Sequence, residues 1–441
     1  MAIGSFFKGL FGGQPPARIS DDPFGSRPAP KPSVTAEALP VEPRCIVQRD
    51  EMLDANSRIA GYRFVVRRLG STLSPTVAEA AAALRSENVA AFAQRRLALL
   101  PVGIKDSYRA ELRQFMAPNA YFLVASPSDG DWTEWQQAVA ALKAAGGKLA
   151  VDDVAAAEKT ALEQADLCVL DFRACALEHF ERLVLRLTRG DDAVPVAVDG
   201  LSAWAEHRLC IDHRASYSLG GFAALPDEEE AKDRLNQSRL VLIEMLNLLR
   251  RDADLAEIAE VAKRDPAVTV KVVTMANAPI MGLSSAVASL DQAMMVLGRA
   301  TLYRWLSVSM FRVGSGGGRD ESLLEMALWR ARFLELLAAG VRSKAECDEV
   351  FLVGLFSLLD SLLGIPMAQV LQRMALPPAV AEVLLDSGGP HGRYLLLAMA
   401  VEKGRFEQAM RMAAALSLDA EKLEHACREA RAWAESALIA G

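Results

Sequence analysis

Short strand-like runs alternate with longer helix-like stretches over the first half of the chain, from Arg44 to about Pro226. The strand-like runs are Tyr62–Val66, Tyr121–Ala125, Leu149–Val151, Leu167–Leu170 and Val194–Val198. Helix-like stretches such as Trp132–Ala145 and Ala174–Arg189 are followed by glycine, which is a usual stop just past a helix end. Strands alternating with helices of this length indicate β/α units around a parallel sheet, and at least five such units predict an α/β barrel or part of one.

The second half has helical periodicity and no strand-like runs after Pro226. Helix starts are predicted where a capping side chain stands at the right spacing from a glutamate, a glutamine or a proline. These starts are Asp254 with Glu257, Asp265 with Pro266, and Ser289 with Gln292. Gly298 is predicted to end the helix that begins at Ser289. This half is therefore expected to be all-α.

Prolines are concentrated ahead of both halves. Residues 12–43 hold eight of the chain's 20 prolines, with serine and charged residues between them. Such a segment buries too little apolar surface to offset its ordering entropy, so we expect a disordered tail. The predicted division is a tail at 1–43, an α/β domain at 44–227 and a helical domain at 228–441.

Composition excludes several classes of protein. The 441 residues are 51% hydrophobic and 24% charged, with a net charge of -7, which indicates a globular core and argues against a broadly basic nucleic-acid-binding surface. The six cysteines show no C-x-x-C spacing, which argues against a disulfide scaffold. No run of about 18 apolar residues is present, so we expect no transmembrane segment and a cytoplasmic protein.

The segment from Asp265 to Val308 resembles the signature of the HDOD family. The matching residues are Asp265, Pro266, Thr269, Lys271, Val272, Ala276, Asn277, Val287, Ser289, Leu290, Ala293, Leu297 and Gly298. Taken one by one, these residues are typical helix caps and core positions, so we interpret them as structural. The resemblance implies an all-α, HD-like domain whose role is to dock protein partners.

HDOD domains are similar to the HD phosphohydrolases, which hold metal ions with converging histidines and aspartates. Where such an enzyme has a histidine-aspartate pair, this chain reads Ser357-Leu358 after Gly354-Leu355-Phe356. The preceding helix, Trp329-Arg330-Ala331-Arg332, offers no histidine either. The resemblance therefore implies that the helical half lacks hydrolase activity.

The first half resembles a divergent EAL-type domain, the barrel that hydrolyses cyclic di-GMP. Four segments carry the resemblance: VQRDEMLDANSRIAGYRFVVR, KLAVDDVAAAE, ADLCVLDF and SYSLGGFAALP. The resemblance implies a TIM-like α/β barrel over residues 44–227. Because an eight-unit barrel usually takes about 250 residues, the sequence leaves open whether this barrel is complete.

The EAL-type reaction needs carboxylates and an asparagine to hold two cations, and a lysine near the attacking water. The resemblance places the motif glutamate at Arg63, the catalytic lysine at Val169 and a late glutamine at Leu219. The adjacent pair Asp152 and Asp153 survives, and we interpret it as loop capping at the barrel rim. We therefore expect a degenerate phosphodiesterase that is not an enzyme, with no metal and no other cofactor.

The sequence thus predicts a non-catalytic bacterial signalling or scaffold protein that acts through protein–protein interactions of its two domains. Its partners would be other signalling proteins, with a homo-oligomer left open and no nucleic acid. Basic residues in the helical half, among them Lys263 and Arg264, are interpreted as a solvated surface. Binding of cyclic di-GMP is not expected.

One alternative stays open from another functional class. A receptor that binds cyclic di-GMP without hydrolysing it would need basic side chains at the barrel rim. The candidates are Arg63, Arg67 and Arg68.

Overall fold

The computed structural model describes residues 44–439 except 108, 129, 175, 190–192, 228, 230–233, 279–285, 288 and 314–316. The tail at 1–43, for which disorder is predicted, lies outside the described residues. No helix in the described part of the chain is long and apolar enough to cross a membrane.

Eight strands close into one barrel in sequence order. They are β1 (Cys45–Asp54), β2 (Ile59–Arg68), β3 (Leu97–Val102), β4 (Ala120–Val124), β5 (Lys148–Asp152), β6 (Leu167–Asp171), β7 (Val196–Leu201) and β8 (Tyr217–Gly220). Strand β1 runs antiparallel to both of its neighbours, β2 and β8, whereas the other neighbours pair in parallel. The predicted α/β barrel is confirmed.

The barrel is complete although the chain is short for one. Its helices are α1 (Val77–Ser86), α2 (Val89–Phe92), α3 (Trp132–Ala144), α4 (Asp153–Ala157), α5 (Lys159–Leu162), α6 (Leu177–Thr188) and α7 (Trp204–Asp212). A tight turn at residues 55–58 joins β1 to β2, and two 3-10 turns, Ile104–Asp106 and Ala110–Phe115, lie between β3 and β4. These two short connections allow eight strands to close within residues 45–220.

The second half is all-α, as predicted. Its helices are α8 (Gln237–Arg250), α9 (Leu255–Ala262), α10 (Pro266–Ala276), α11 (Leu290–Ser309), α12 (Gly318–Ala338), α13 (Lys344–Phe356), α14 (Leu359–Leu363), α15 (Met367–Arg373), α16 (Pro378–Asp386), α17 (Gly392–Glu402), α18 (Phe406–Ala415) and α19 (Ala420–Ile439). Helix α9 begins directly after Asp254 as predicted, but the Asp254 side chain accepts no capping hydrogen bond. Gly298 breaks α11 with a φ of 69°.

The β1–β2 hairpin joins the two halves through its outward face. Arg96 donates to Glu325 of α12 at 2.8 and 3.2 Å, and the Tyr62 hydroxyl donates to the same carboxylate. Ser322, also on α12, accepts from the backbone N–H of Ile59 at 3.0 Å and donates to the carbonyl of Ser57 at 2.8 Å. Helix α12 therefore satisfies the polar backbone of the hairpin turn.

A second set of contacts lies further along the same face. Arg49 of β1 and Arg431 of α19 share the carboxylate of Glu87, at 2.8 and 3.0 Å, and Arg49 also donates to Glu435. Burial disfavours the charged form of Arg49, but Glu87 and Glu435 outweigh that effect and raise its pKa. Removing one partner of a buried pair leaves an uncompensated charge, which costs about 3–5 kcal/mol. These pairs therefore hold the halves firmly together.

Glu51 lies between these two sets of contacts, in a cavity of about 50 Å³ that Glu325 and Glu402 also line. Burial, followed by the neighbouring carboxylate of Glu402 and then by Asp50 and Glu325, raises the pKa of Glu51 to about 8. Arg330 is close by but binds Glu402 through two hydrogen bonds, at 2.7 and 2.8 Å. Glu51 is therefore largely protonated at neutral pH.

The first prediction concerns a close backbone contact between the halves. A Cβ added to Gly318 would lie 2.1 Å from the carbonyl oxygen of Asn56, whereas one added to Gly317 would meet nothing within 4 Å. We expect Gly318→Ala to lower the free energy of unfolding by about 1–3 kcal/mol through overpacking. Gly317→Ala is the matched control, with an expected cost below about 1 kcal/mol. Urea unfolding measures both, and equal values for the two variants would contradict the prediction.

The second prediction concerns pH. The folded protein holds the Glu51 proton up to about pH 8, while an unfolded chain releases it near pH 4.3. The stability that Glu51 contributes is therefore complete below about pH 4.3 and is lost as the pH rises to about 8. We expect Glu51→Gln to melt about 2 °C or more above the wild type at pH 9 and to match it at pH 4. Glu134→Gln, on an exposed helix position, serves as control. A constant offset between Glu51→Gln and the wild type at all pH values would refute the argument.

Candidate functional site

The barrel lumen is filled by apolar side chains. They are Met52, Leu97, Leu99, Ala150, Leu167, Val169, Ala197 and Leu219. Two of the positions that the sequence comparison marks as lost, Val169 and Leu219, are 6% and 0% exposed and belong to this packing. A filled interior is normal for this type of barrel, whose chemistry is found at the carboxyl ends of the parallel strands. We call that end of the barrel the mouth.

An ion-pair triad lies at the mouth, directly above the apolar lumen. Arg63 of β2 stands opposite Asp50 of β1 in the antiparallel ladder. Its Nε donates to Asp50 at 2.8 Å, and its Nη1 donates to Asp199 of β7. Burial lowers the pKa of Arg63, but Asp199 and Asp50 outweigh that effect and raise it, so the guanidinium stays charged. The triad carries one net negative charge.

The three candidate arginines have different surroundings. Arg63 belongs to the triad, and Arg68 pairs with Glu79 of α1 at 2.6 Å. Arg67 is exposed and makes no ion pair with any described residue. Alternate residues of a strand share a face, so Arg67 projects on the same side of β2 as Arg63. Arg67 and the Nη2 atom of Arg63 are therefore among the donors that the mouth offers to an anion.

Asp152 lies at the end of β5 and caps α4. It accepts from the backbone N–H of Ala155 at 2.9 Å, and from both the backbone N–H, at 3.2 Å, and the hydroxyl of Ser126. Its neighbour Asp153 is the first residue of that helix. Within the described residues, no group of three or more histidine, cysteine, aspartate or glutamate side chains could hold a metal ion.

In the helical half, Arg330 lies on the helix where the HD resemblance implies a metal-binding histidine. It lies buried on α12 and donates to Ser357, which directly follows α13, at 2.9 Å as well as to Glu402 of α17. Helices α12 and α13 meet closely there, because a Cβ on Gly354 would lie 2.5 Å from the backbone nitrogen of Ala331. Arg330 thus links α12 to α17 and to the end of α13 through hydrogen bonds.

The first part of the family signature builds the start of α10. Asp265 accepts from the backbone N–H groups of Ala267 and Val268 at 2.8 and 3.2 Å, and Pro266 is the first helical residue. Burial opposes ionisation of Asp265, but the hydrogen bonds from Ser238 and the backbone keep its pKa below the usual value. Burial and nearby Arg312 lower the pKa of Lys271, whose amine donates to the Arg312 carbonyl at 3.2 Å.

The second part of the signature connects α10 to α11. The Asn277 amide donates to the carbonyl of Val287 at 2.8 Å and accepts from the backbone N–H of the same residue at 2.7 Å. Ser289 caps α11 by accepting from the backbone N–H of Gln292 at 3.2 Å. These side chains serve backbone groups of the fold.

Sequence reasoning missed Asp50 and Glu51 as site residues, because both look like ordinary polar positions of a strand. The signal that could have found the triad is the ladder itself, since pairing β1 with β2 places Asp50 beside Arg63.

Residues 237–375 match the HDOD domain. Over 184 residues the chain is 27% identical to the cyclic di-GMP phosphodiesterase CdgJ of Vibrio cholerae, a match that covers 42% of this chain and 42% of CdgJ. Over 309 residues it is 24% identical to the uncharacterized protein YuxH of Bacillus subtilis, covering 68% of this chain and 74% of YuxH. The match to CdgJ thus spans less than half of that relative's length.

Among solved structures, the Bacillus subtilis YkuI protein has an EAL domain and was determined with cyclic di-GMP and calcium. It is 14% identical, with a TM-score of 0.32, over 57% of this chain and 71% of that chain.

These comparisons change one prediction and confirm another. The prediction that the chain is not an enzyme is wrong, because it rested on motif positions alone and the relative CdgJ is named a cyclic di-GMP phosphodiesterase. The resemblance to HDOD proteins is confirmed. The chain carries an HDOD domain at residues 237–375, behind an eight-stranded α/β barrel.

Proposed function

We propose that this chain is a signalling protein whose barrel mouth binds cyclic di-GMP and whose helical half passes the bound state to a protein partner. One observation carries the proposal: neighbouring residues of β2 serve both halves. Arg63 faces the mouth, where it pairs with Asp50 and Asp199, while Tyr62 faces the opposite way and binds Glu325 of α12. A ligand bound at the mouth would therefore contact the same strand that holds the two halves together.

Two arginine donors at the mouth, Arg67 and the Nη2 atom of Arg63, offer contacts to the phosphate oxygens of a phosphodiester. Phosphate oxygens are bound well by arginine, whose donors can engage two oxygens at once. Arg67 and the remaining Arg63 donor supply this chemistry beside the apolar lumen. The name of CdgJ supports cyclic di-GMP as the ligand, and this replaces the expectation that the nucleotide does not bind.

Hydrolysis of cyclic di-GMP is the second candidate, which the name of CdgJ favours. The divalent cations that the EAL resemblance implies do not fit the described residues of the mouth. Asp50 and Asp199 are both held by Arg63, and Asp152 is held by Ser126 and Ala155. Hydrolysis of cyclic di-GMP is therefore assayed in the same experiment as its binding.

We also propose that the domain boundary lies at residue 227, with the helical domain at 228–441. The last barrel strand ends at Gly220, and the HDOD match begins at residue 237. The interface described above then lies between two domains.

The third prediction tests nucleotide binding. We expect Arg67→Ala to weaken cyclic di-GMP binding about 10- to 100-fold, the effect of one charge-assisted hydrogen bond of about 1.5–3 kcal/mol. Arg95→Ala is the matched control, because Arg95 is exposed and lies just before β3 at the opposite end of the barrel. Titration calorimetry at constant ionic strength, with and without magnesium, measures both variants.

Nucleotide turnover is followed in the same samples. Absence of binding by the wild type at 100-fold excess of ligand would overturn the proposal. So would an equal loss of affinity in Arg67→Ala and Arg95→Ala, because the site would then lie elsewhere.

A further inference from the structure

A basic groove lies mainly on helices beyond the HDOD match. Two adjoining cavities of about 440 and 420 Å³ lie along α17 and α18, and both are lined by Arg393 and Ala415. The HDOD match ends at residue 375, so the signature residues do not build this surface. We call it the α17–α18 groove.

The charge of the groove is positive, although the chain as a whole carries -7. Its lining includes Arg342, Arg393 and Arg411 and no carboxylate. Arg342 pairs with Glu346 at 3.1 Å. Arg393 and Arg411 are exposed and make no ion pair with any described residue. Two uncompensated cations on an acidic protein favour an anionic partner at this place.

Apolar side chains lie between these arginines. Val341 and Leu396 are 57% and 36% exposed, and Met412 and Leu416 are partly buried in the groove lining. A ligand that carries only charge would leave these side chains in water. The groove therefore suits a ligand with both carboxylates and apolar side chains.

We propose that the α17–α18 groove docks an acidic segment of a partner protein that inserts one or two apolar side chains between Arg393 and Arg411. The proposal rests on the proposed function, since it names the surface through which the helical half engages its partner. A membrane would present a flat surface to a concave groove, and a nucleic acid would be repelled by the net negative charge of the chain.

The test uses the full chain and a fluorescein-labelled 16-residue peptide of alternating Leu-Glu pairs. We expect micromolar binding that weakens with salt, and no binding of the counterpart with Lys in place of Glu. The double variant Arg393→Glu/Arg411→Glu should lose at least about tenfold in affinity, while Arg393→Lys/Arg411→Lys should keep most of it. Leu396→Ser should weaken binding about threefold or more, since it removes an apolar contact.

The matched control is Arg109→Glu/Arg113→Glu, which makes the same charge change at exposed residues of the barrel. Equal losses in the two double variants would overturn the proposal, as would equal binding of the two peptides. Tighter binding of a 16-nucleotide oligo(dT) or of phosphatidylglycerol vesicles, lost in Arg393→Glu/Arg411→Glu, would also overturn it in favour of another partner class.

Calorimetry with cyclic di-GMP separates this inference from the proposed function. Arg393→Glu/Arg411→Glu should bind the nucleotide as the wild type does, because the groove lies apart from the mouth. Nucleotide binding without peptide binding would overturn the groove proposal and leave the proposed function standing. Peptide binding without nucleotide binding would support the groove while the mouth proposal fails.

Discussion

The alternation of side chains along the β1–β2 hairpin is the constraint on which the rest of the molecule depends. Because successive residues of a strand point to opposite faces, Asp50 and Arg63 meet at the barrel mouth while Arg49 and Tyr62 meet the helical half. A shift of one residue in this ladder would exchange the two sets. It would place the triad against the helices and the buried ion pairs in the lumen.

The antiparallel entry of β1 is what makes this arrangement possible. In a barrel of uniform β/α units, a helix would cover the outer face of every strand. Here a four-residue turn at 55–58 joins β1 to β2, so no helix of the barrel separates the two strands. Helices α12 and α19 of the second half take that place. Barrel and helical half thus complete one apolar core, which runs without a break from one to the other.

Local patterns in the sequence were sufficient to predict part of this structure. Strands β4 to β7 follow from short apolar runs, and the start of α10 follows from Asp265-Pro266, since both signals lie within a few residues. Closure of the barrel and the contact of Tyr62 with Glu325, 263 positions away, depend on which distant segments meet. A single sequence does not show which distant segments contact each other. The helix start at Asp254 was also predicted correctly, but its side chain makes no capping hydrogen bond, because spacing alone does not orient a side chain.

Helix α17 connects the features that bear on function. At its carboxyl end, Glu402 holds Arg330 and raises the pKa of Glu51 at the hairpin. At its amino end, Arg393 lines the α17–α18 groove. Nine residues of helix separate the two side chains, about 13 Å at 1.5 Å per residue. A ligand can shift the equilibrium between two conformations of these helices only by the difference in its affinity for the two conformations. Glu402 links α17 to Arg330 of α12, and α12 in turn binds Tyr62 of the hairpin through Glu325, so the groove and the hairpin are joined through packed helices.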